Sequence, residues 1–160
     1  EAPFGSMITP LTGNEMNFYD LLLPEDPGTV VMNGKEYAWN TWGEILNPPA
    51  DAQIWATYKN EFYEGSPAVT FRKLGKGTIT YVGVDSHNGA LEKDILKKLY
   101  AQLNIPVMDL PYGVTMEYRN GLGIVLNYSD QPYAFNLPKG AKALIGTTNI
   151  PTAGVLVFSM

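Results

Sequence analysis

Hydrophobic positions recur at helical spacing, then at every second residue, then at helical spacing again, and at every second residue to the end. Phe4, Met7, Ile8 and Leu11 share one helical face of Pro3 to Leu11. Pro3 suits a first turn, and Thr12-Gly13-Asn14 ends the segment. Asn17 to Leu23 reads as a strand stopped by Pro24-Glu25-Asp26-Pro27-Gly28. Thr29 to Met32 and Glu36 to Leu46 read as strands flanking Asn33-Gly34, a dipeptide suited to the positive φ of a two-residue hairpin turn. After the break at Asn47-Pro48-Pro49, Gln53 to Tyr58 is a short, mostly apolar strand. Val69 alternates with Phe71, and Ile79 with Tyr81, on either side of Gly75-Lys76-Gly77, which predicts a hairpin with one buried face.

The clearest helix spans about Asn88 to Leu103. Leu91, Ile95, Leu99 and Leu103 recur every four residues, and Leu96 widens the stripe. Ser86 or Asn88 can cap it. Glu92 and Asp94 lie early and Lys97 and Lys98 late, as the helix dipole favours. A hairpin followed by a helix laid across the sheet predicts the C-terminal part of an α/β (α+β) layer, residues 1–108.

Asp109-Leu110-Pro111-Tyr112-Gly113 is the predicted boundary, and no helical signal follows it. Val114 to Arg119 and Leu122 to Tyr128 flank Asn120-Gly121, a second hairpin dipeptide. Tyr133 to Leu137, Lys142 to Ile145 and Gly154 to Phe158 complete five short strands. They predict a small antiparallel β-sandwich over residues 109–160.

Composition narrows the functional classes. Hydrophobic residues make up 45% of the 160, with 16 glycines and 12 prolines, a mix that suits a loop-rich globular protein and not a disordered chain. Sixteen acidic against eleven basic residues give a net charge of −5, which offers no cationic face for a phosphate backbone, so no nucleic-acid partner is expected. Without cysteine there is no thiolate nucleophile or disulfide framework. No apolar run is long enough for a membrane-spanning helix, so no membrane partner is expected. The start Glu1-Ala2-Pro3 reads as that of a fragment or processed product.

The acidic candidates for chemistry are Glu44, Glu61, Glu64, Asp85 and Glu117. Glu61 and Glu64 flank Phe62 and Tyr63 in a manner that superficially resembles a sugar site, but they read as solvated loop charges and not as a catalytic pair. His87, the one histidine, follows Ser86 and Asp85. Adjacent residues in one turn cannot form a nucleophilic triad, so helix capping is the better reading. A lone histidine also makes a zinc site a poor fit. Gly75-Lys76-Gly77 lacks the spacing of a phosphate loop. Trp39, Trp42 and Trp55 raise the possibility of a sugar-stacking surface, although their alternation with polar residues is core behaviour. Asn127-Tyr128-Ser129 matches a glycosylation sequon.

The stretch from Tyr58 to Val84, with its Phe62-Tyr63, Gly65-Ser66-Pro67-Ala68-Val69-Thr70 and Gly75-Lys76-Gly77 to Tyr81-Val82-Gly83, resembles the non-catalytic middle domain of glycoside hydrolase family 42 β-galactosidases. Trp42-Gly43-Glu44-Ile45-Leu46 is similar to a second segment of that domain. Gly113-Val114 to Arg119, Leu126-Asn127-Tyr128-Ser129 and Pro151 to Phe158 resemble its C-terminal sandwich. The resemblance implies the end of a partly flavodoxin-like or glutamine-amidotransferase-like trimerisation layer, followed by that sandwich. Amidotransferase chemistry itself would need the absent cysteine. In the family two glutamates about 5 Å apart carry out retaining hydrolysis, both in an N-terminal (β/α)8 barrel outside these residues. The resemblance therefore implies a non-catalytic fragment with no catalytic, cofactor-binding or metal-binding residues. Its partners would be its own barrel and further copies of itself, a trimer in the parent enzyme, in the bacterial cytoplasm or alternatively the periplasm. A layer missing its first strands would also leave a sheet edge and an apolar helix face open. The other reading is a free-standing carbohydrate-binding module.

Overall fold

A computed structural model describes residues 8–160, which divide into two compact units between Pro106 and Val107. In the first, the helix expected over Pro3 to Leu11 is visible only as α1 (Thr9–Thr12), and Pro3 to Met7 lie outside the described residues. Gly13 ends it in the left-handed region at φ 71°, donating its N–H to the Thr9 carbonyl at 2.7 Å.

Seven strands follow: β1 (Glu15–Asp20), β2 (Gly28–Met32), β3 (Lys35–Asn47), β4 (Gln53–Lys59), β5 (Pro67–Leu74), β6 (Gly77–Val82) and β7 (Val84–Ser86). They form one sheet in the order β1-β3-β2-β4-β5-β6, with β7 paired to β3. The β2–β3 hairpin turns on Asn33 and Gly34, with φ of 52° and 78°, as the sequence predicts. The β5–β6 hairpin turns at Gly75 (φ 58°) and Lys76.

Every strand pair in this sheet is antiparallel. This corrects the expectation of an α/β layer: among the described residues there is no parallel pair of the flavodoxin-like or amidotransferase-like kind. The cause is loop length. A parallel crossover takes a dozen or more residues, whereas the turns linking β2 through β6 run from two to seven residues. A helix after the final strand looks like half of a βα repeat in sequence without being one.

Glycine closes the sheet. β7 continues β6 past Gly83, whose N–H donates to the Ala68 carbonyl at 2.9 Å while its own carbonyl accepts the Glu44 N–H at 2.6 Å. The far end of the ladder thereby returns to β3, and the sheet must curl to allow it. A Cβ on Gly83 would sit 3.2 Å from the Glu44 oxygen and 3.3 Å from the Ala68 oxygen, so only glycine fits without displacing backbone. Inside the curl Trp39 is fully buried and meets Tyr58 edge-on at 5.5 Å. Gly28 and Gly43 make room for its indole, since a Cβ at either would approach the ring to 2.5 and 2.7 Å. Each such large side chain contributes about 1.5–3 kcal/mol by leaving water.

The helix α2 (Ala90–Gln102) packs Leu91 and Ile95 into the same core, with Leu99 partly buried. Trp55 stacks on Phe71 at 4.6 Å, and the Lys98 ammonium lies 4.0 Å from the Trp55 ring centroid. The buried stripe is narrower than predicted. Leu103 falls past the last helical turn and is 67% exposed, and Leu96 projects outward beside Tyr100. Capping comes from Ser86, whose hydroxyl accepts the Leu91 N–H at 3.0 Å and donates to Glu92, while Glu92 accepts the Ser86 N–H at 3.1 Å. Asn88 instead turns the chain, in a 3-10 turn at φ 57°.

The second unit contains β8 (Val114–Arg119), β9 (Leu122–Asn127), β10 (Tyr133–Ala134), β11 (Lys142–Ile145), β12 (Asn149–Ile150) and β13 (Gly154–Ser159). Its larger sheet runs β11-β13-β9-β8 and its smaller one β10-β12, all antiparallel. Val114, Val125, Phe135, Ile150, Leu156 and Phe158 form the core of this small sandwich. Asn120 and Gly121 turn the β8–β9 hairpin at φ 51° and 78°, as predicted.

Candidate functional site

The acidic candidates do not converge. Glu117 is exposed in the second unit and pairs with Arg119 at 3.5 Å. Asp85 and His87 are exposed beside the cap of α2. Glu61 and Glu64 belong to the β4–β5 connection, where a Glu64 carboxylate oxygen accepts the Asn60 N–H at 3.0 Å and so fixes the turn. Among the described residues no three of His, Asp and Glu gather where a metal ion could be held.

Glu44 is the exception in burial. One of its oxygens accepts the Trp42 indole N–H at 3.2 Å and the other accepts the Tyr81 hydroxyl. The nearby opening, lined by Thr9, Asn14, Glu44 and Tyr81 among others, has a volume of about 10 Å³. That holds one water at most and no sugar ring. A carboxylate occupied by two donors at the edge of so small a space is a structural acceptor.

Other tyrosines join this arrangement. The Tyr63 hydroxyl donates to Asp20 at 2.6 Å, and the Tyr58 hydroxyl donates to the Glu44 carbonyl at 2.9 Å. Burial, then the charges of Glu44 and Asp20, push the Tyr58 phenol well above its ordinary range. Burial and the bond to Asp20 do the same for Tyr63, and burial and Glu44 for Tyr81. On the helix side the Tyr37 hydroxyl donates to Asp94 at 2.8 Å; burial and that bond push its pKa up to about 12. Hydrogen bonds from Lys35 and Tyr37 hold the Asp94 carboxyl below its usual value. These phenols serve as donors that lock acids in place, a role that sequence alone gave no reason to assign.

Of the tryptophans, Trp39 and Trp55 are buried, and Trp42 is half-buried against Tyr19, whose ring lies at 4.6 Å. The exposed aromatic surface is elsewhere. Phe18 on β1 stacks on Phe62 at 5.6 Å with the rings 9° from parallel, although Phe62 is 86% exposed and Phe18 38%. Tyr63 supports the pair from below, edge-on to Phe62 at 4.9 Å, and is itself fixed through Asp20. Leu21 and Leu23 continue the apolar exposure past β1, which ends the strand order and pairs only with β3 among the described residues.

The sequon asparagine is not a surface acceptor. Asn127 is 1% exposed, and its amide nitrogen donates to the carbonyls of Gln131, Ile150 and Pro151 at 2.8, 3.1 and 3.2 Å. Its oxygen accepts the Ser129 N–H at 3.0 Å and the Ser129 hydroxyl at 2.6 Å. The nitrogen joins β9 to Ile150 and Pro151 at the end of β12, and the oxygen fixes the turn that follows β9 itself.

Comparison with known proteins bears on this geometry. Residues 1–111 match the β-galactosidase trimerisation domain family and residues 113–160 the β-galactosidase C-terminal domain family. The β-galactosidase LacA of Lactobacillus acidophilus is 41% identical over 73 residues, 46% of this chain and 11% of that protein. BgaB of a Geobacillus species is 30% identical over 115 residues, 69% of this chain and 17% of that protein. The crystal structure of a β-galactosidase from the psychrophilic Marinomonas ef1 aligns with a TM-score of 0.78 at 22% identity, covering 99% of this chain and 22% of that one. The chain thus spans about a tenth to a quarter of the length of the relatives it matches.

Proposed function

Since this chain belongs to the C-terminal portion of the glycoside hydrolase family 42 β-galactosidases, its trimerisation and C-terminal domains, we propose that it serves subunit assembly and the support of a catalytic (β/α)8 barrel. The parent activity in this reading is retaining hydrolysis of β-galactosides, with both catalytic glutamates in the barrel and none among these residues. Residues 1–108 act as the closing part of a larger trimerisation layer, and residues 109–160 as a separate sandwich. A cytoplasmic location completes the reading; no helix among the described residues is long and apolar enough to cross a membrane.

The observation that carries the proposal is the stacked Phe18–Phe62 pair. Two exposed phenylalanines held rigidly at the end strand of a sheet cost free energy in water unless another surface covers them. The outward Leu96 and Tyr100 of α2, with Leu103 just after it, add a second apolar face of the kind an incomplete layer leaves open. Phe62→Asp places a charge at the centre of the aromatic pair and removes nothing from the core. It is expected to raise the concentration needed for self-association at least tenfold while leaving thermal unfolding unchanged; unaltered association contradicts the assignment of this face. The purified chain is also expected to show no aryl-β-galactoside turnover. Turnover abolished by Glu61→Gln or Glu64→Gln would overturn the non-catalytic reading.

A further inference from the structure

The second unit carries a cleft of about 790 Å³ lined by Pro111, Tyr112, Tyr128, Asp130, Gln131 and Tyr133, with Ser129 and Pro132 between them. Its walls are two loops tied together. The Tyr128 N–H donates to the Gly113 carbonyl at 2.7 Å, and Gly113 takes φ 80° so close to Ser129 that a Cβ would lie 2.9 Å from its backbone nitrogen. The Asn127 amide and the Ser129 hydroxyl both bond to the Gln131 carbonyl, fixing the other wall. Upon this rigid frame Tyr112 is fully exposed and Tyr128 71% exposed, while Tyr133 is anchored towards the core at 6.5 Å from Phe135. Neither the Tyr112 nor the Tyr128 hydroxyl is engaged by a described residue.

We infer that this tyrosine cleft is a binding site for a neutral oligosaccharide. Three chemical features select that class. Aromatic faces are electron-rich and take the C–H faces of pyranose rings, and tyrosine does so at low entropic cost because few torsions are frozen. Asp130 and Gln131 supply an acceptor carboxylate and an amide for ring hydroxyls. No cationic side chain lines the cleft, and Asp130 repels anions, so phosphates and acidic glycans are excluded. The volume lies in the range of small-molecule sites and suits two or three sugar rings; a quaternary ammonium group, the other ligand of tyrosine clusters, would leave most of it empty. The preformed loops reduce the ordering cost of binding. The cleft belongs to the second unit and the Phe18–Phe62 pair to the first, and the inference does not rest on the role of that pair.

Nuclear magnetic resonance titration of the 160-residue protein with β-1,4-galactotriose, cellotriose and maltotriose tests the inference, with choline as a control. At least one trisaccharide is expected to give saturable shifts at millimolar concentration on Gly113 and on residues 128–133. Tyr128→Ala and Tyr112→Ala are each expected to weaken it about tenfold, the equivalent of about 1.4 kcal/mol. Both side chains lie outside the core, so thermal unfolding should not move, and Phe62→Ala should leave the affinity unchanged. Absence of saturation with all three trisaccharides would overturn the inference. So would binding that survives both tyrosine substitutions, or saturation by choline alone.

Discussion

Replacing Asn127 by alanine removes the best-connected polar side chain of the second unit. The amide has two N–H hydrogens for three carbonyls, so the neighbouring Ile150 and Pro151 oxygens share one while Gln131 takes the other. Its oxygen receives two bonds from Ser129. That amounts to about four hydrogen bonds, each worth about 1 kcal/mol net. Water regains access to the Gln131 and Ser129 side, which offsets part of the loss, so about 3–4 kcal/mol is expected. A unit of this size has little more stability than that to lose. All three tryptophans lie in the first unit, so the transitions separate optically: tryptophan fluorescence follows residues 1–106, and amide resonances of β9 and β13 follow the sandwich. In urea, Asn127→Ala should unfold the sandwich at or near zero denaturant while the fluorescence midpoint stays put. A loss below about 1 kcal/mol would show that the bonds seen here contribute little, and the structural account of the sequon would fail.

Three further outcomes follow from the geometry. Gly83→Ala forces the Glu44 and Ala68 carbonyls apart by a few tenths of an ångström and should lower the fluorescence-detected stability by about 1–3 kcal/mol, whereas Gly34→Ala, with open space around it, should cost less and only through its positive φ. Tyr37, Tyr58, Tyr63 and Tyr81 all titrate above the ordinary phenol value, so their neutral forms stabilise the fold. That contribution is complete below about pH 10 and is lost as pH rises, for Tyr37 through about 12; alkaline melts should show it, and Tyr37→Phe should flatten the slope. The opposite sign holds for Asp94, whose contribution is present above the usual carboxylate value and is lost as pH falls through its lowered one; Asp94→Asn should remove that acid-side dependence.

What the sequence disclosed was local, and what it hid was closure. The Asn33-Gly34 and Asn120-Gly121 turns are legible because two adjacent positive φ angles restrict the choice of residue, and α2 is legible because Leu91 and Ile95 repeat at one turn. The curl of the first sheet is not legible, because Gly83 looks like any strand glycine until β5 and β3 are placed on either side of it. Nor are the acid–phenol pairs, which join residues 37 and 43 positions apart. Tyr112 reads as part of a boundary and Tyr128 as the middle of a sequon; only the Gly113–Tyr128 bond brings them to one cleft. Asn127 shows the converse failure, a surface motif turned inward by the turns that follow it.

The central claim, that this chain is an assembly portion, is tested most directly by its mass in solution. Multi-angle light scattering across micromolar concentrations should give a concentration-dependent rise from 17.6 kDa towards three times that value, with Phe62→Asp remaining at the single-chain mass. A wild-type protein that stays at 17.6 kDa throughout the range would contradict the claim.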